Sequence, residues 1–203
     1  MSAMTKSIEF IYDLASPNAY LANKALTKLA ANHDATITYT PVLLGGIFKA
    51  TGNRAPMVAF APVPAKLQYM MVEMRRFIAK HGCTAFKMNP HFPLNTLALS
   101  RAAVAAQMDG DLEAFIAAGE ALVWEEGLKM DDPDIFVKAF TEKGLDGARL
   151  LARTQDQDVK DALAKTTQSA VDRGAFGIPT FFVGEEMFFG KDSLGDLEDA
   201  LTA

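Results

Sequence analysis

The amino-acid sequence predicts an α/β fold: a small mixed sheet whose two halves are separated by a long run of helices. Three observations carry this expectation. The first 43 residues read as strand, helix, strand. From Gly45 to about Gly174 the apolar residues fall at helical spacing. Strand character then returns twice, and a last short helix follows.

Each element has its own signal. Ser7–Tyr12 has apolar alternation with β-branched and aromatic residues, and Asp13 ends it. Ser16-Pro17 joins a hydroxyl N-cap to a proline at the first helical position. Ala22, Ala25, Leu26 and Leu29 carry that helix to about Asn32–Asp34. Thr36–Leu43 predicts a second strand, with Ile37, Tyr39 and Pro41 on one face. Lys66–Lys80 bears a stripe of Leu67, Met70, Met71, Met74, Phe77 and Ile78. Asn95–Met108 is an Ala-rich helix, and Asp111–Glu126 repeats apolar residues from Leu112 to Val123 at helical intervals. Asp131-Asp132 cap a helix over Pro133–Lys143 that closes at Gly144. Two more helices are predicted over Asp146–Arg153 and Gln155–Asp172. Pro179–Val183 and Glu186–Phe189 are apolar and aromatic, and Gly184-Glu185 between them signals a hairpin. Asp192-Ser193 cap a final helix, Leu194–Leu201. This order is that of a thioredoxin-like fold with an all-helical domain inserted in the middle. It predicts a discontinuous thioredoxin-like domain of residues 1–44 and 175–203 and a helical domain of residues 45–174.

Composition excludes several classes. Half of the 203 residues are hydrophobic, enough for a sizeable core. The net charge is −5 and no Lys or Arg stripe occurs, which argues against nucleic acid or an acidic membrane surface as partner. No apolar run approaches the ~18 residues of a membrane span. The apolar start, Ile8–Leu14, contains Glu9 and Asp13 and no cleavage site follows it, so no secretory signal is expected and the location is cytoplasmic. The single cysteine, Cys83, can form neither an internal disulfide nor a Cys-x-x-Cys couple. His33, His81 and His91 have no metal-ligand spacing, so no metal site is expected.

Four places carry candidate chemistry. Taken alone, Ser16 is an N-cap. The same geometry turns unpaired N–H groups and the positive end of a helix dipole outward, a setting that favours an anion such as a thiolate. Ile178-Pro179, at the start of the third strand, is taken alone an ordinary strand-opening proline. A cis bond there would leave the Ile178 N–H and C=O free to pair with a peptide-like ligand in β fashion. Asp192 and Ser193, taken alone a helix cap, could also hold the amino and carboxylate groups of an amino-acid end. Lys49 and Gly52-Asn53 follow the second strand and fall on the same rim.

These sites occur together and in order, and with them the chain resembles the 2-hydroxychromene-2-carboxylate isomerase family, relatives of DsbA and of the kappa-class glutathione transferases. The resemblance spans nearly the whole chain. It is carried by residues 11–22 (IYDLASPNAYLA), by residues 176–183 (FGIPTFFV) and by residues 188–192 (FFGKD), with Lys49, Gly52-Asn53 and residues 123–127 (VWEEG) between them. It implies the DsbA/kappa type of thioredoxin-like fold, glutathione as cofactor, and a homodimer. It implies that Ser16 meets the glutathione sulfur and that Ile178, before a cis Pro179, pairs with the cysteinyl part. Asp192 and Ser193 would hold the γ-glutamyl end, Asn53 would contact the tripeptide, and Lys49 would lie near the small-molecule substrate. Trp124, with Phe48, Tyr69 and Met70, would line an apolar substrate pocket, although for most of those positions a methionine stripe is more often core. The implied reaction is glutathione-dependent isomerisation of an aromatic-derived carboxylate. The alternatives are conjugation by a kappa-like glutathione transferase and binding of glutathione without turnover. With Cys83 far in sequence from Ser16, a disulfide oxidoreductase is not expected.

Overall fold

The computed structural model describes residues 6–202. The first half of the sheet is β1 (Ser7–Tyr12), α1 (Pro17–Asn32) and β2 (Thr36–Pro41). Eight helices follow: α2 (Leu44–Thr51), α3 (Pro56–Ala59), α4 (Pro64–His81), α5 (Leu97–Asp109), α6 (Leu112–Trp124), α7 (Pro133–Glu142), α8 (Gly147–Arg153) and α9 (Gln157–Asp172). The chain closes with β3 (Thr180–Val183), β4 (Glu186–Phe189), a 3-10 turn at Lys191–Ser193 and α10 (Leu194–Thr202). The sheet order is β2-β1-β3-β4. β1 runs parallel to β2 and antiparallel to β3, and β4 runs antiparallel to β3. This is the mixed thioredoxin-like sheet, with β1 between a parallel and an antiparallel neighbour.

Burial explains the strands. Ile8, Phe10 and Ile11 are fully buried, so β1 is covered on both faces. Phe10 meets Phe181 of β3 at a ring-centroid distance of 4.6 Å, and each such buried side chain contributes about 1.5–3 kcal/mol. The β3–β4 hairpin turns on Gly184, whose φ of +61° suits a residue without Cβ.

The second strand stops at Pro41, short of the expected Leu43, although the Val42 N–H still reaches the Tyr12 carbonyl at 3.0 Å. Helix α2 follows, over residues where the sequence shows helical character but no start signal of its own, and α3 opens at Pro56. The reason lies in the capping. The residue before α2, Leu43, offers no side-chain cap, and the Leu44 N–H is accepted by Asp13 Oδ2 at 2.8 Å. A helix start satisfied by a residue from another element leaves no local capping motif to read.

α9 lies along the sheet although it stands within the 45–174 block. Thr166 Oγ1 donates to the Pro41 carbonyl (2.7 Å), the Leu43 N–H donates to Thr167 Oγ1 (3.0 Å), and Arg173 pairs with Glu9 (2.6 Å) and stacks on Phe182. One hydrophobic cluster runs continuously from the sheet into α4, α5, α6 and α7. Among the described residues, no helix is long and apolar enough to cross a membrane.

Candidate functional site

Ser16 stands between β1 and α1. Its backbone is extended (φ −106°, ψ 119°) and its Oγ accepts from the Ala19 N–H at 3.3 Å, so it caps α1, with Pro17 opening the helix. The Ser16 hydroxyl also lies 3.4 Å from the Ile178 carbonyl, a long hydrogen bond across 162 positions of sequence. The Ile178–Pro179 bond is cis. Pairing between β1 and β3 reaches only as far as Thr180, so Ile178 lies outside the ladder.

Two further bonds gather the other segments. Asn53 Nδ2 donates to the Phe176 carbonyl at 2.7 Å, tying the end of α2 to the loop that carries Ile178. The Gly190 N–H donates to the Pro179 carbonyl at 2.9 Å, which brings the Asp192-Ser193 turn alongside. Ser16, Asn53, Ile178, Pro179 and the 190–193 turn are thus linked into one constellation. Asp192 projects outward with its side chain 71% exposed. Ser193 is engaged internally: its hydroxyl and its N–H both donate to the Gly190 carbonyl, at 2.8 and 3.2 Å. Its two donors therefore serve the turn itself.

The remaining candidates are placed differently. Lys49 is exposed and faces a groove of about 470 Å³ between α2, α5 and α9, walled by Leu43, Leu97, Arg101, Lys160 and Leu163; Ser16 is not part of that wall. Trp124 is 1% exposed, so it does not line an open pocket as expected from the sequence. Its indole N–H donates to the Leu14 carbonyl at 3.1 Å, and its ring packs against Phe86 and Phe92. Trp124 thus supports the Ser16 loop from beneath. Tyr69 is 59% exposed, and of the methionine stripe only Met74 is in the core. Cys83 is buried, which pushes its thiol up, opposite to what a reactive thiolate needs. Among the described residues no His, Cys, Asp and Glu side chains gather as a metal-binding group.

Two buried acids that hold the site are absent from the sequence-derived candidates. Asp13 is 2% exposed, and its carboxylate accepts from the Ala15 N–H (3.0 Å), the Leu44 N–H (2.8 Å) and Thr96 Oγ1 (3.2 Å). It therefore joins the Ser16 loop to the starts of α2 and α5. Burial raises its pKa from 3.8 to about 6, against the pull of those three donors. Glu120 is 1% exposed and accepts from Tyr12 Oη (3.1 Å), Asn23 Nδ2 (2.8 Å) and Lys24 Nζ (3.1 Å), locking α6 to β1 and α1. Burial pushes its carboxyl up, opposed by Lys24 and Asn23. A signal for Glu120 existed: it is an acid set within the apolar face of Phe115, Ile116, Gly119, Leu122 and Val123.

Comparison with known proteins agrees with this architecture. Residues 7–202 match the family model described as a DSBA-like thioredoxin domain. A 2-hydroxychromene-2-carboxylate isomerase of Sphingobium xenophagum is 30% identical over 98% of this chain and 99% of its own length. Glutathione S-transferase kappa 1 of Caenorhabditis elegans is 27% identical over 96% of this chain and 90% of its own length. Among solved structures, a 2-hydroxychromene-2-carboxylate isomerase superposes with a TM-score of 0.82 at 27% identity, over 97% of this chain and 94% of that one. A probable DsbA oxidoreductase of Streptomyces coelicolor shares the fold, with a TM-score of 0.73 at 18% identity over 97% and 88% of the two chains. The chain belongs to the DSBA-like thioredoxin domain family and, within it, to the 2-hydroxychromene-2-carboxylate isomerase family, relatives of the kappa-class glutathione transferases.

Proposed function

We propose that this protein is a glutathione-dependent isomerase that interconverts 2-hydroxychromene-2-carboxylate, or a related aromatic-derived carboxylate, with its ring-opened trans isomer, trans-o-hydroxybenzylidenepyruvate. The observation that carries the reading is the Ser16 hydroxyl at the start of α1, facing Ile178, in a chain whose only cysteine is buried elsewhere. A site built to stabilise a thiolate, with no thiol of its own, calls for a borrowed one.

The residues fit glutathione. Ile178 lies outside the sheet ladder, where an extended peptide could pair with it. Asp192 is exposed beside it and suits an ammonium, and Asn53 already bonds the same loop. No acidic residue occupies the first turn of α1 to oppose an anion there. Bound there, glutathione would supply the thiolate whose reversible addition to the unsaturated ring-opened substrate leaves a single bond free to rotate before elimination. The chain's own part is binding and electrostatics. Ser16 donates a hydrogen bond to the sulfur, and the helix start favours its negative charge. Together these are worth on the order of 1.5–3 kcal/mol, or one to two pKa units of thiol depression. Lys49, expected on the substrate side, faces the separate groove between α2, α5 and α9 and takes no part in this step.

The test is to follow the absorbance of 2-hydroxychromene-2-carboxylate with the protein, with and without glutathione. A glutathione-dependent approach to equilibrium supports the reading, and its absence removes this substrate. A second reading, conjugation in the manner of a transferase, is favoured by the kappa-class relatives. It requires a stable glutathione adduct by mass spectrometry, whereas the isomerase reading requires glutathione to be recovered unchanged. The same proposal includes a cytoplasmic location and a homodimer; light scattering of the purified protein would read the oligomeric state.

A further inference from the structure

Lys191 is 3% exposed, and its ammonium is shared between two carboxylates. It donates to Glu73 Oε1 on α4 and to Asp192 Oδ1 and Oδ2, at 3.1 and 3.2 Å, and sits 5.0 Å from the Phe77 ring centroid. A buried ammonium needs a partner, because leaving it uncompensated is strongly unfavourable. Here it has one more carboxylate than its charge requires. Glu73 is the less exposed of the two, at 31%, and Asp192 the more exposed, at 71%. The excess negative charge is therefore presented to solvent at Asp192, on the turn linked through Gly190 to Pro179. Lys28, Arg76 and Lys80 line the same groove between α1, α4 and α10, together with Glu198. Without Glu73, an approaching cation would meet Asp192 neutralised by Lys191, in a groove where Lys28, Arg76 and Lys80 outnumber the one remaining carboxylate, Glu198.

We propose that Glu73 is a positioning residue for ligand recognition: by sharing the Lys191 ammonium it leaves the Asp192 carboxylate only partly neutralised, with negative charge left to pair with a primary ammonium. Resting on the glutathione reading above, that ammonium is the γ-glutamyl amino group. The two residues come from different parts of the chain, so recognition of the amino end requires α4 to be seated against the 190–193 turn. Charge balance, rather than a direct contact, gives α4 its share in specificity.

The experiment compares calorimetric binding of glutathione and of its des-amino analogue, glutaryl-cysteinylglycine, to wild type, Glu73→Gln and the double variant Glu73→Gln/Lys191→Met. Glu73→Gln is expected to weaken glutathione roughly tenfold, the scale of a disturbed charge pair, while binding of the des-amino analogue changes far less. The double variant leaves Asp192 without an internal cation and is expected to regain most of the glutathione affinity. Equal losses for both ligands, or no loss for glutathione, overturn the role of Glu73 while the glutathione reading stands. Absence of glutathione binding by wild type overturns that reading and this assignment with it. Should Glu73→Gln fail to fold, the double variant decides, since a folded double variant that no longer prefers glutathione over the des-amino analogue overturns the proposal.

Discussion

At the residue scale, one serine serves two purposes. Ser16 accepts a hydrogen bond from Ala19 as a cap and keeps its own proton for a partner, now the Ile178 carbonyl at 3.4 Å. A bond that long is readily exchanged for a charged acceptor. Ser16→Ala should cost the fold only about 1 kcal/mol, the usual cost of a lost cap, yet on the proposed reading lower turnover about tenfold to hundredfold. Parallel denaturation and rate measurements check this, and unchanged turnover would leave Ser16 as a cap alone. Asp13 sets a second expectation. Its pKa of about 6 in the fold exceeds the ordinary 3.8, so the folded state holds the proton more tightly. Its contribution to stability is therefore full below pH 3.8 and is lost as pH rises through about 6. The upper bound is about 3 kcal/mol, at about 1.4 kcal/mol for each pH unit of separation. In Asp13→Asn that part of the pH dependence should vanish, and the carboxamide should leave one of the N–H donors unpaired at a cost of about 1–3 kcal/mol. Urea titrations between pH 4 and 7 would read both; equal slopes in the two proteins would show that Asp13 does not titrate in this range.

At the scale of elements, close approach decides much of the packing. α6 comes up against the Ser16 loop because Gly119 has no side chain: a Cβ there would lie 2.6 Å from Leu14 Cδ1. The neighbour is the mobile tip of a leucine, which can move aside. Gly147, at the start of α8, is different. A Cβ would lie 2.3 Å from the Val137 carbonyl oxygen of α7, and backbone cannot step aside cheaply. Gly147→Ala should therefore destabilise the protein by about 1–3 kcal/mol, seen as a lowered melting temperature, and a neutral result would mean that α7 and α8 can slide apart. Asp13 acts on this scale too, since α2 and α5 both begin at its carboxylate. Two helices of the insert are thus oriented by the residue that ends β1.

At the scale of the whole molecule, the candidate site is a meeting of segments from both halves of the sheet and from the helices between them. A ligand that bridges Ser16, Ile178 and Asp192 binds only the folded arrangement. If glutathione is that ligand, as proposed, then at about a hundred times its dissociation constant it should stabilise the protein by about 2.7 kcal/mol, a rise of a few degrees in melting temperature. Glutathione disulfide, which offers no thiolate, should give a smaller rise. An equal shift from both would place the recognition in the peptide part alone.

By itself, the sequence determined the fold class, the sheet halves and the helices of the insert that start with their own caps, such as Asp132 before α7. It also marked Ser16, Asn53, Ile178, Pro179 and the 190–193 turn, because strand ends, prolines and caps are local signals. The tertiary structure alone decided which of these residues meet. It linked Ser16 to Ile178 across the sheet, turned Trp124 inward beneath the loop, and set Lys49 toward a separate groove. It decided α2, whose start is satisfied by Asp13 rather than by a neighbour in sequence. The same holds for Asp13, Glu120 and the Glu73–Lys191 pair. The physical reason is common to all of them. A cap or a turn is satisfied within a few residues and leaves a pattern in the chain, whereas a buried charge is satisfied by partners that only folding brings near.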